Sequence, residues 1–64
     1  MIALLEGSIA AVRHDYAVVL TGGVGYKVHL TSYTLGKIAG FSSVRLHVFT
    51  SVREDAITLY GFLD

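Results

Sequence analysis

Short runs of aliphatic, β-branched and aromatic residues, separated by compact polar or glycine turns, constrain the fold of this chain more than any other feature. They predict five strands, at residues 2–12, 16–21, 24–30, 43–52 and 57–62. Between the third and fourth strands the period becomes helical, because Leu35 and Ile38 lie one turn apart after the N-cap candidates Thr31 and Ser32. Residues 31–40 are therefore predicted to form a short helix or helical turn.

Two glycine positions indicate how the strands are joined and bent. Gly22 and Gly23 lie between the second and third strands, and two adjacent glycines supply the positive φ values of a type I′ hairpin turn. Gly7 lies in the middle of the long first strand. A glycine there is typical of a bulge or of a sharp bend at a barrel corner.

The order β-β-β-α-β-β predicts an all-β fold with one short helix in a single domain over residues 1–64. Closing five strands into a barrel removes the exposed sheet edges. A five-stranded Greek-key barrel with a helix between strands 3 and 4 is the OB-fold, which we predict here. An SH3-like small barrel is the alternative, although the position of the helix fits it less well.

Alternation along the strands predicts which side chains face the core. In the third strand Tyr26, Val28 and Leu30 share one face, whereas Lys27 and His29 share the other. The same reasoning for the fourth and fifth strands predicts a core face made of Val44, Leu46, Val48, Val52, Ile57 and Leu59.

Three aromatic side chains, Phe49, Tyr60 and Phe62, are predicted to point away from the core. The chain is 53% hydrophobic, and a domain of this size buries only about 60% of the surface that its unfolded chain exposes. Large exposed apolar surfaces usually mark interfaces. We expect an adjoining domain or subunit to cover these aromatic rings, and base stacking is the alternative.

Charge and composition argue against several functions. Five basic and five acidic residues cancel, so the basic excess typical of nucleic-acid binders is missing. Gly23 and Gly25 have the spacing of the first two glycines of the G-x-G-x-x-G dinucleotide-binding motif. The motif is incomplete, because Val28 occupies the position of the third glycine and a strand follows instead of a helix. Cysteine is absent, and the three histidines are too scattered for a metal site. No nucleophile elbow is recognisable, so we expect no catalytic residue, no metal and no cofactor.

The N-terminal residues have no basic segment before an apolar run, and no uncharged apolar stretch reaches about 18 residues. We therefore expect a cytoplasmic protein without membrane contact.

Arg53, Glu54 and Asp55 form a charged turn between the last two strands. Composition alone favours a solvated turn, and the alternative is a device that repels a negatively charged partner.

Three segments resemble the N-terminal domain of the RuvA family of Holliday-junction branch-migration proteins. They are Met1-Ile2 with the later Gly7, the stretch GGVGYKV at 22–28, and VREDA at 52–56 followed by LYGF at 59–62. The similarity extends from residue 1 to about residue 62, and the last segment is the most specific. It implies an OB-fold domain that acts in DNA recombination and repair.

The resemblance also implies partners and roles. Family members form homotetramers that hold a four-way DNA junction open, and two acidic residues per subunit form a pin at the crossover. These residues match Glu54 and Asp55, while Arg53 matches a neighbouring residue that either contacts DNA or forms an ion pair. A second domain with helix-hairpin-helix motifs grips phosphates, and a third recruits the hexameric ATPase motor RuvB. Accordingly, we expect this chain to be the N-terminal fragment of a longer accessory subunit.

One departure from the family pattern concerns the opening strand. Relatives often carry basic residues near positions 4 to 6, where this chain has Leu4, Leu5 and Glu6. No phosphate contact is therefore carried over to that strand.

Two alternatives to a junction scaffold remain. One is a general single-strand-binding OB domain that uses Tyr16 and Phe49, and the other is a structural oligomerisation barrel without a role in DNA binding.

Overall fold

A computed structural model describes residues 1–63 and contains the predicted elements in the predicted order. They are β1 (Leu4–Val12), β2 (Tyr16–Thr21), β3 (Val24–His29), α1 (Ser32–Ile38), β4 (Ser43–Val52) and β5 (Ile57–Phe62). The strands close into a barrel in the order β1-β2-β3-β5-β4. The pair β3–β5 is parallel and all the others are antiparallel. The predicted OB-fold barrel is thus confirmed.

The first strand closes the barrel because it pairs with both β2 and β4. Ser8 lies opposite Leu20 on one side and Ser43 on the other. A Cβ atom at Gly7 would overlap the backbone carbonyl of Leu20, so only glycine permits this close approach of two strands. The register with β2 shifts between Ile9 and Ala11, just after the predicted bend.

Of the three hairpin turns, those of β2–β3 and β4–β5 lie at one end of the barrel, because each precedes one of the parallel strands β3 and β5. At the first turn Gly22 and Gly23 have φ values of 58° and 82°, as predicted. Helix α1 and the end of β5 lie at the opposite end. There Thr31 caps the helix, with its Oγ1 accepting a hydrogen bond from the Thr34 amide at 3.2 Å.

The core contains the fully buried Ile38, Leu46, Val19 and Val28. Around them lie the other buried apolar side chains, Leu5, Ala17, Leu30, Leu35, Val44 and Leu59. Tyr26 and Val48 are partly buried against this cluster. No helix within residues 1–63 is long and apolar enough to span a lipid bilayer.

Two core predictions are wrong, because Val52 and Ile57 are 66% and 71% exposed. Strand β5 pairs with β3 at only two positions, Leu59 with Val28 and Tyr60 with His29. The start of β5 and the end of β4 therefore extend beyond the closed part of the barrel. At this end of the hairpin, the sheet face that carries Val52 and Ile57 is therefore not covered by another strand.

Thr50 is a buried polar residue that alternation did not assign. Its hydroxyl donates to the Ile2 carbonyl at 2.6 Å and accepts from the Ile2 amide at 3.2 Å. These two bonds satisfy a hydroxyl that would otherwise be costly to bury. They also attach the N-terminal segment to β4.

Candidate nucleic-acid interface and packing surface

The acidic turn is the tip of the β4–β5 hairpin. Val52 and Ile57 form the last pair of the ladder, and the Arg53 amide donates to the Ala56 carbonyl at 2.7 Å. That bond closes a tight loop in which the side chains of Glu54 and Asp55 are exposed. The predicted pin residues therefore project together from one end of the barrel.

No ion pair neutralises the tip within residues 1–63. The ion pairs formed in this part of the chain join His14 to Asp15 at 3.7 Å and Arg45 to Glu6 at 3.5 Å. Arg53 thus pairs with neither adjacent carboxylate. Two unit charges about 4 Å apart interact by ~1 kcal/mol in water and ~4 kcal/mol at the effective dielectric of a protein surface. Such a tip can repel other anions that approach it closely.

The opening strand offers no cationic surface. Leu5 is buried in the core, Leu4 is half exposed, and Glu6 faces Arg45 in the surface ion pair. Because the Glu6 carboxylate pairs with that arginine, this strand is poorly suited to binding phosphate.

Within the described residues no group of three or more histidine, cysteine or acidic side chains is placed to hold a metal ion.

A continuous row of rings crosses the outer face of four strands. Tyr16 lies opposite His29, His29 opposite Tyr60, and Tyr60 opposite Phe49. The successive ring centroids are 6.3, 5.7 and 6.5 Å apart. At one end the Lys27 ammonium lies 4.5 Å from the centroid of the Tyr16 ring, within cation–π range. We refer to these four rings as the aromatic row.

Sequence reasoning predicted that Phe49 and Tyr60 point outward and named Tyr16 with Phe49 in the single-strand-binding alternative, but it did not place these rings and His29 side by side. Alternation shows that a side chain points outward, but only the strand order and register place four rings side by side. The parallel β3–β5 pair decides this, because it places His29 next to Tyr60. No local sequence signal encodes that contact.

Phe62, the third predicted outward aromatic, lies between two cavities at the end of the barrel where β5 ends. One has a volume of about 230 Å³ and is mainly apolar, lined by His29, Leu30, Thr31, Tyr60, Gly61 and Phe62. The other measures about 480 Å³ and is lined by Thr31, Tyr33, Thr34, Lys37, Phe62 and Leu63. Phe62 itself is 50% exposed. Both cavities therefore lie at the end of the barrel opposite the acidic tip.

Together, the closed barrel, the aromatic row and the unneutralised hairpin define a small OB-fold domain with two chemically distinct ends. The family described as RuvA N terminal domain matches residues 1–61. The chain belongs to this family.

Curated relatives agree over nearly the whole chain. The Holliday junction branch migration complex subunit RuvA of Rhodococcus erythropolis is 45% identical over 64 residues, covering 100% of this chain and 32% of the relative. The proteins of the same name from Pelobacter propionicus and Paramagnetospirillum magneticum are each 48% identical, covering 97% and 100% of this chain. These matches cover 31% and 30% of the relatives. The chain thus spans about a third of the length of the curated relatives it matches.

Proposed function

We propose that this chain is the N-terminal domain of a non-enzymatic subunit that binds four-way DNA junctions during branch migration. Glu54 and Asp55 would form an acidic pin at the crossover. The observation that carries this proposal is the pair of exposed carboxylates at the tip of a projecting hairpin, without an ion-pair partner among residues 1–63. Family membership supplies the biological setting.

The proposed mechanism is electrostatic. In a tetramer with four-fold symmetry, the four tips would bring eight carboxylates near one axis. Repulsion falls off with distance and is screened over about 8 Å at physiological salt, so it acts on phosphates that approach the tips closely. Duplex DNA docked across the centre would be disfavoured, and separated strands would be steered into their new duplexes.

The charge balance indicates that phosphate binding depends on other domains of the protein. A net charge of zero provides little general attraction for DNA, so the phosphate grip must come from elsewhere in the protein. We assign it to a helix-hairpin-helix domain after this one, and recruitment of the hexameric RuvB ATPase to a third domain. Arg53 precedes the pin directly in sequence and forms no ion pair within residues 1–63, and we assign it a contact with DNA. The cytoplasm is the proposed compartment.

We assign Phe49, Tyr60 and Phe62 to packing against protein rather than to base stacking. Phe62 and the two cavities lie at the end of the barrel opposite the acidic tip. A junction centred on the tip would therefore lie far from them. The adjoining domain is the occupant that this position favours.

A binding titration of the intact protein tests the pin. A four-way junction and a linear duplex of equal length would be compared at fixed salt, for the native protein and for Glu54→Gln with Asp55→Asn. The matched control is Glu6→Gln with Asp15→Asn, which removes the same charge away from the tip. We expect the pin variant to lose at least fivefold of the preference for junction over duplex, equivalent to roughly 1 kcal/mol, and the control to retain it. Equal behaviour of the two variants would reduce the pin to a solvated turn.

A further inference from the structure

The aromatic row ends at Tyr16 beside two cationic side chains. The Lys27 ammonium lies over the Tyr16 ring, 4.5 Å from its centroid, and the same ring forms a T-shaped contact with His29. Arg13 lies next to Tyr16 because its backbone amide donates to the Tyr16 carbonyl at 2.8 Å, which closes the β1–β2 turn. We refer to Arg13, Tyr16 and Lys27 as the cationic corner.

The two positive charges of this corner are not neutralised. Lys27 and Arg13 are both exposed, and neither forms an ion pair within residues 1–63. The carboxylate of the β1–β2 turn, Asp15, lies 3.7 Å from His14 instead. One guanidinium nitrogen of Arg13 donates to the Val12 carbonyl at 3.2 Å, and the fork carries further donors. The corner therefore combines two available cations with a partly exposed aromatic ring.

We propose that the cationic corner is a contact site for single-stranded nucleic acid. A base stacks on the face of Tyr16, the Lys27 ammonium moves from that face to the neighbouring phosphate, and Arg13 binds the next phosphate along the strand. The site lies on the outer face of β2 and β3, and these are the strands on which OB-fold barrels bind oligonucleotides. This site goes beyond the proposed function and does not depend on the acidic pin.

Replacing the lysine by a base on the Tyr16 ring is energetically favourable. A cation above an exposed ring contributes less than a stacked base, and every base has a π-face, so the contact tolerates any base sequence. The displaced Lys27 ammonium gains a phosphate partner, and the contact releases counterions from the strand. One ring and two cations hold fewer than the ~4–16 nucleotides that an OB-fold can cover, so the site is auxiliary to the main phosphate grip.

An unpaired strand fits the corner better than other anionic partners do. In a duplex the bases are stacked on one another, so their faces are not available to Tyr16. An acidic peptide would match the two cations but would leave the ring without a stacking partner. The carboxylates of the acidic tip, which repel phosphate, are remote, because Tyr16 begins β2 and lies at the end of that strand away from the β2–β3 turn.

A binding titration of the intact protein tests the site. Fluorescence anisotropy would compare a labelled oligothymidylate with an abasic oligonucleotide of equal length, which has the same phosphates without bases. Tyr16→Leu removes the stacking face, and Lys27→Gln removes one charge. The matched control is Tyr33→Leu with Lys37→Gln, because Lys37 lies 5.4 Å from the Tyr33 centroid in a second cation–π pair, on α1. Circular dichroism would verify the fold of each variant.

The two variants are expected to differ in a characteristic way. Tyr16→Leu should weaken oligothymidylate binding about fivefold or more and abasic binding less than about twofold, because it removes stacking alone. Lys27→Gln should weaken binding of both ligands. It should also lower the slope of log affinity against log salt by about 0.7, the value for one lost contact with a single-strand phosphate. The control should stay within about twofold of native for both ligands.

Three results would overturn the proposal. Tyr16→Leu could weaken both ligands equally, which would exclude base stacking, or both variants could bind like the native protein. Labelled polyglutamate could bind as tightly as oligothymidylate and lose the same factor with Lys27→Gln, in which case the corner would take an acidic peptide. The preference for junction over duplex depends on the pin and should persist in Tyr16→Leu, so failure of either proposal leaves the other standing.

Discussion

Replacing Gly61 with alanine tests how tightly the barrel packs where β5 passes over the core. A Cβ atom at this position would lie 2.7 Å from Val28 Cγ1, 2.8 Å from Leu30 Cδ2 and 3.4 Å from Leu46 Cδ1. Carbon atoms pack best about 3.5–4.0 Å apart, so the first two groups would have to move by about 1 Å. Val28 is fully buried and Leu30 is 8% exposed, which leaves these two side chains little room to move.

Overpacking of this kind costs about 1–3 kcal/mol. A 64-residue domain has a total stability of roughly 3–10 kcal/mol, so the loss is a large fraction of the whole. Each kcal/mol corresponds to a fall of about 4–8 °C in Tm. Thermal and urea unfolding followed by circular dichroism would measure both quantities.

Gly36→Ala is the matched control for Gly61→Ala. Gly36 lies in α1, and a Cβ atom there would meet no heavy atom within 4 Å. Alanine should stabilise this helix by about 0.5–1 kcal/mol. Both substitutions restrict the unfolded chain alike, so a difference in sign isolates packing in the folded state. A Gly61→Ala protein as stable as the native one would refute the packing argument.

Two further predictions concern single contacts. Thr50→Val removes the hydroxyl that bonds the Ile2 backbone and should lower the free energy of unfolding by about 1–3 kcal/mol, measured by urea denaturation. Amide hydrogen exchange at Ile2 should become faster. Unchanged stability would count against a stabilising role of these two bonds. Hydroxyl-radical footprinting of the intact protein should find Phe62 protected relative to Phe41, because both are 50% exposed in this domain and only Phe62 lines the cavities assigned to an adjoining domain. Equal reactivity of the two rings would exclude that cover.

Local signals predicted most of the elements. Strand periodicity and the Gly22-Gly23 turn depend on adjacent residues, so all five strands and the hairpin occur in the structure, although β1 begins at Leu4 instead of residue 2 and β3 ends at His29 instead of residue 30. The helix was placed correctly but is shorter than predicted, Ser32–Ile38 instead of residues 31–40. Helix ends depend on capping and packing as well as on spacing, which limits the prediction of boundaries.

The predictions for Val52 and Ile57 failed for a different reason. Alternation assigns a side chain to a face of its strand, but it does not show how far the opposing layer extends. The parallel contact between β3 and β5 covers only two residue pairs, and this left the end of the hairpin open. The same pairing created the aromatic row, which no single strand reveals.

The sequence by itself determined the order of strands and helix, the turn conformation at Gly22-Gly23, and the acidic composition of the β4–β5 turn. Each depends on residues that are neighbours along the chain. Only the tertiary structure decided that Val52 and Ile57 are uncovered, that Thr50 holds Ile2, and that four rings share one row. These features depend on strand pairing between residues far apart in sequence, and that pairing is set by closure of the whole barrel.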